Sequence, residues 1–157
     1  MNINGIRGYD EVDFDGKGVG IAAALDGQAR FNADGNSDGT IVIGADSILK
    51  AYGFTTSGRV FLRWVQDGGL FKEQTYNGLG FHLEANYLIA KRVAPAVRYA
   101  RIMPKEDDVQ QEILGGVSAF VFQHKLKAQF DGGVILVDAD AGTEVNTQFR
   151  TQLQGAF

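Results

Sequence analysis

The last nine residues constrain this chain more than any other stretch. Phe149, Thr151, Leu153, Gly155 and Phe157, apolar or small, alternate with Arg150, Gln152 and Gln154. A period of two over that length makes an extended strand with one apolar and one polar face. The stretch closes on an uncharged aromatic, Phe157. A strand closing an outer-membrane barrel has this make-up. One face meets lipid, the other meets the lumen, and an aromatic sits at the membrane interface. Such a C-terminal strand is also what a barrel-assembly machinery would engage.

The same alternation runs back through the chain. From Gly18, the residues Val19, Ile21, Ala23, Leu25, Ala29 and Phe31 share one face against Asp26, Gln28 and Arg30. Ile41, Ile43, Ala45 and Leu49 follow, then Phe54, Val60, Leu62 and Trp64 against Ser57, Arg59 and Arg63. Phe81, Leu83, Ala85, Tyr87 and Ile89 alternate with His82, Glu84 and Asn86. Val93, Val97 and Tyr99 oppose Arg98, with Pro95 near a strand start, where a missing donor costs least. Two further strands carry Ile113, Val117, Ala119 and Val121, then Leu126, Ala128, Phe130, Val134 and Leu136. With the closing stretch this makes eight strands.

Connections at 32–38, 67–78, 103–110 and 137–145 read as long polar loops; those near 52, 91 and 124 read as short turns. The predicted fold is all-β: an eight-stranded antiparallel transmembrane barrel, with short turns on one side and longer loops on the other. Residues 18–157 form that domain. Residues 1–17, with Asp10, Glu11, Asp13 and Asp15, read as a mobile polar leader. Girdle aromatics are expected at the loop ends (Phe31, Trp64, Phe81, Tyr99, Phe149) and at the turn ends (Phe54, Tyr87, Phe157). The competing fold is a soluble barrel or sandwich with its faces inverted. Ala and Gly on the apolar face would fill such a core poorly.

Composition removes several classes. A net charge of −4 leaves no basic block for nucleic acid. There is no cysteine, hence no disulfide framework or thiolate metal site. No apolar run reaches the ~18 residues of a transmembrane helix.

Several pieces of the chain together resemble the C-terminal half of the phosphate- and polyphosphate-selective porins of Gram-negative outer membranes. They are Gly44-Ala45-Asp46, Tyr52-Gly53-Phe54 leading to Arg59, and Gly80-Phe81-His82-Leu83 through Tyr87-Leu88-Ile89. Pro95 with Arg98-Tyr99, Gly116-Val117, His124 with Leu126-Lys127, and Gln152 to Phe157 complete the set. The resemblance implies an outer-membrane location in a Gram-negative bacterium, homo-oligomeric assembly, and passage of small anions along a lumen lined by Arg and Lys. This chain departs from that family in having about half the strands, so it reads as a small relative, a half that must pair, or a fragment. It also departs at Ala94, where the family usually places a Glu.

In this register the lumen-facing charges are Asp26, Arg30, Asp46, Lys50, Arg59, Arg63, Glu84, Arg98, Glu112, Lys127, Asp131 and Arg150. Arg59, Arg63, Arg98, Lys127, Arg150 and Lys50 form the candidate anion pathway. The bland alternative is that these charges pair and plug a lumen barely wide enough for side chains. Asp34, Asn36 and Asp38 match the first half of a calcium loop, but Ala45 stands where its bidentate Glu belongs, and a hairpin loop uses the same residues. Gly16, Gly18 and Gly20 lack the helix that a phosphate loop requires. His82 shares a face with Glu84, but no nucleophile accompanies them, so no enzyme and no cofactor is expected. The expected function is passive diffusion of small anionic solutes across a lipid bilayer. The alternatives are a closed structural membrane barrel and, behind it, a soluble ligand-binding barrel.

Overall fold

Branched and aromatic residues at every second position build long strands. The computed structural model describes residues 2–3, 12–14, 16, 18–31, 39–66, 77–105, 108–121, 126–139 and 142–155. β1 (Asn2–Ile3) is followed by β2 (Val19–Phe31), β3 (Gly39–Ala51), β4 (Phe54–Gln66), β5 (Gly78–Tyr87), β6 (Val93–Pro104), β7 (Val109–Phe120), β8 (Leu126–Ala139) and β9 (Gly142–Gly155). All nine lie in one sheet in chain order, each antiparallel to its neighbour. There is no helix among the described residues. The eight long strands are those read from the alternation; the two-residue β1 is additional.

Among the described residues the sheet is open: the expected antiparallel strands are present, without the ring of ladders that closes a barrel. β9 pairs with β8 alone, and the outer edge of β2 takes β1 through Asn2–Ala22 and Ile3–Ile21. Closure requires a ladder between β9 and β2, and none is formed among the described residues.

One ladder row fixes the register across the wall. It runs from Gly20 through Lys50, Thr55, Asn86, Ala96, Gly116 and Asp131 to Arg150. Cross-strand partners share a face, so this row and every second row beside it line the concave side. The intervening rows make a convex side that is widely exposed: Leu25 is 85% accessible, Trp64 71%, Phe149 77% and Leu153 77%. So much contiguous apolar surface far exceeds what a water-soluble monomer ordinarily presents.

Connection lengths correct part of the expected asymmetry. β6 and β7 extend to within four residues of each other, leaving only 105–108, and β8 and β9 are joined by 140–141. The stretch 137–145, read as a long loop, is therefore a continued hairpin. Inside it the Asp138 carboxylate accepts from Thr143 Oγ1 at 2.9 Å, and it also accepts from Gln111 Nε2 of β7 at 3.1 Å. At the other side, Tyr52 (φ 51°) and Gly53 (φ 88°) both take positive φ, the requirement of a two-residue type I′ hairpin.

The small buried cluster lies at the turn end of the concave side. Val12, Leu88, Ala94 and Phe120 form it, with Phe14 packed against them edge-on to Phe120, ring centroids 5.1 Å apart. The sequence reading gave the acidic leader no contacts, yet Val12 to Phe14 sit inside the trough. Asp13 Oδ2 accepts from the Gly53 amide at 2.8 Å and Oδ1 from the Gly16 amide at 3.1 Å. Lys50 Nζ donates to the Val12 carbonyl at 3.4 Å.

Candidate functional site: the concave face

Parity places every lumen-facing charge named from the sequence on the concave side. Along β2 to β4, Arg59 stands beside Asp46 in one ladder row, and Asp26 reaches it diagonally across Gly44. Arg59 Nη2 bonds Asp26 at 2.9 Å, and its Nη1 lies 3.6 Å from Asp46. Gly44 permits this: a Cβ there would sit 2.7 Å from Asp26 Oδ2 and 2.9 Å from Arg59 Nη2. The bridge spans three strands because the middle one has no side chain in its path.

Along β6 to β9 the carboxylates again sit near their guanidinium partners. Arg98 Nε lies 3.6 Å from Glu112, which also accepts from Gln148 Nε2 at 3.0 Å. Arg150 Nε bonds Asp131 Oδ2 at 2.6 Å, and Gln129 donates to the other oxygen. Asp131 is buried while Arg150 is largely exposed, so the pair is anchored at its acidic end. Buried carboxylates need such donors, since an unpaired charge there costs several kcal/mol. Arg98, Gln129, Asp131 and Arg150, with Glu84, Lys127 and Gln152, border a cavity of about 450 Å³ against the concave wall.

Of the six basic residues expected to line an anion pathway, Arg59, Arg98 and Arg150 are thus tied to carboxylates of their own wall, and Lys50 is turned toward the leader. Lys127 is buried beside Gln154 in the ladder and also has an interaction partner. Arg63 differs. It is exposed near the loop end of β4, with Arg30 at the loop end of β2, and neither has an ion-pair partner among the described residues. The two lie on adjacent concave rows, Gln28–Val42–Arg63 and Arg30–Thr40–Val65.

The aromatics named as girdle candidates stand at different heights along their strands. Phe31 ends β2, Trp64 stands near the end of β4, and Phe54 faces Tyr87 at the turn end. Tyr99 and Phe149 instead fall mid-strand, because β6 and β9 run further than the sequence reading allowed. Phe81 packs on Tyr99 at 5.8 Å, and Phe149 stacks with Phe130 at 6.5 Å. Phe157 and the calcium-loop candidates Asp34, Asn36 and Asp38 lie outside the described residues. Among the described residues, no group of three or more metal-ligating side chains converges.

Two features escaped the sequence reading. Glu144, taken as loop, lies on the concave side of β9 opposite Val137, which brings the acidic residues to six against seven basic. On the convex side near the loop end, Tyr99 Oη donates to Gln111 at 3.0 Å, and Gln111 passes the chain on to Asp138. Only the pairing of β6 with β7 and of β7 with β8 brings these three together.

Comparison with protein-family models, with curated proteins and with solved structures returns no match. The reading of the concave face therefore rests on its own chemistry.

Proposed function

We propose that this chain forms the wall of an outer-membrane β-barrel, β2 to β9 curling so that the concave face lines a water-filled path for small anionic solutes. The observation that carries the reading is the separation of faces: an exposed apolar convex side on all eight strands, and arginines, carboxylates and glutamines opposite. A bilayer solvates the first, and a hydrated lumen solvates the second. In hydrocarbon the edge of β9, and that of β2 beyond its two-residue contact with β1, must pair, because unsatisfied backbone groups there cost several kcal/mol each. Both edges have the antiparallel sense that closure requires, within one chain or between copies. Anion preference rests on Arg30 and Arg63, whose charge at the loop mouth is not paired with a carboxylate among the described residues. The earlier resemblance to anion porins agrees with this reading.

A closed structural barrel is the second reading, favoured by Arg59, Arg98 and Arg150 each lying beside a carboxylate. Conductance of detergent-refolded protein in a planar bilayer under a salt gradient separates the two. Stable steps with an anion-favouring reversal potential, lowered by Arg63→Ala, are expected for the pore. A folded, heat-modifiable protein without steps leaves the structural barrel.

A further inference from the structure

We infer that Val12, Asp13 and Phe14 form a plug that closes the turn end of the lumen and can leave it without unfolding the wall. This inference rests on the pore reading of the concave face. Three observations support it.

The first is where the apolar groups are. The concave face intersperses its charges and amides with single apolar side chains such as Val42, Phe61 and Leu114, but Leu88, Ala94 and Phe120 gather into a buried cluster with Val12 at its turn end. Ala94 is 1% exposed and Phe120 3%, and both owe that burial partly to the leader. Without Val12 and Phe14 above them, these side chains would face the lumen water.

The second is how the segment is held. It is fastened by side-chain and amide contacts rather than by a continuous ladder. Asp13 caps the β3–β4 turn through the Gly53 amide, Lys50 holds the Val12 carbonyl, and Phe14 meets Phe120 edge-on. The turn itself is braced without the leader, since the Leu88 amide donates to the Gly53 carbonyl at 2.8 Å. A few local contacts open at far lower free energy than an eight-strand sheet unfolds. The tether at Val19 keeps the segment at high local concentration, so it re-docks readily.

The third is what lies above it. Phe120 pairs with Lys127 in the ladder, and Lys127 pairs with Gln154, both of which border the cavity. A solute moving from that cavity toward the turn end meets the Phe14–Phe120 contact. The plug thus sits in series with the proposed path.

The chain contains no cysteine, so a pair introduced as Phe14→Cys with Phe120→Cys is the sole thiol pair and can be bridged by a short bifunctional thiol reagent. Single-channel conductance is recorded for this protein before bridging, after bridging, and for a separate Asp13→Ala/Phe14→Ala variant. Heat-modifiability on gels confirms folding in each case. The expected result is a bridged form with severalfold smaller or rarer openings than the unbridged one. The double alanine variant should show larger or more frequent openings than the parent. Openings of the same size and frequency in folded parent, bridged and double alanine forms would overturn the plug while leaving the pore intact. Silence in all three would overturn both, since removing the plug would then have opened nothing.

Discussion

At the turn end of the concave face, Val12, Leu88, Ala94 and Phe120 are packed away from solvent, and Asp13 is capped by two backbone amides. At the loop end of the same face, Arg30 and Arg63 stand exposed, with no ion-pair partner among the described residues. Both ends are carried by the same alternating strands, so the alternation does not account for the difference. It arises because the turn end receives a second piece of chain. Apolar burial there is non-directional and strong, while the charges at the loop end remain hydrated and contribute little to stability. Perturbing the turn end should therefore change folding and the leader's docking, and perturbing the loop end should change only the ions that pass.

Phe120→Ala is the largest expected effect. Removing a ring from this cluster should cost about 3–5 kcal/mol, read as a fall in the urea midpoint of the detergent-folded protein. A loss below about 1 kcal/mol would mean the turn end is no core. Ala94→Glu comes next, and it tests whether the cluster at the turn end tolerates a charge. A carboxylate beside Val12 and Phe120 would be buried without a donor, so the leader is expected to leave instead. Rapid proteolysis of the leader with the strands intact would show it; an unchanged digestion pattern would not fit.

Asp13→Ala leaves the buried Gly53 amide without its acceptor and should cost about 1–3 kcal/mol, again by urea midpoint. Arg59→Ala belongs to the middle of the wall. Its ion pairs are partly exposed, so stability should move by less than about 1 kcal/mol. Asp26 and Asp46 would be left uncompensated, and the reversal potential should shift toward cations. Smallest is Arg63→Ala, for which the urea midpoint should be unchanged while anion preference falls modestly. A large stability loss there would remove the contrast between the two ends.

Much of this was legible in the chain itself. Trp64, Leu83 and Leu153 fall on the convex side, and Arg59, Arg98 and Arg150 on the concave side, as a period of two requires. Parity has only two values, so once the alternation is recognised each side chain is assigned. Strand ends were less legible. Asp138, Thr143, Glu144 and Asn146 look like loop residues, and only the ladder between β8 and β9, with the Asp138–Thr143 bond, keeps them in strands. The leader was read from its acidic residues, and Val12 and Phe14 were hidden among them.

Sequence alone determined the eight long two-faced strands and the face of each charge it placed within them, because alternation is a local property set by neighbouring residues. Tertiary structure decided which charges meet and what becomes of the leader. Asp26 reaches Arg59 only because Gly44 lies between them in the sheet. Val12 finds a site only where Leu88, Ala94 and Phe120, distant in the chain, are gathered at one end of the trough. Such contacts depend on register and curvature summed over several strands, and no single stretch of the chain encodes that sum.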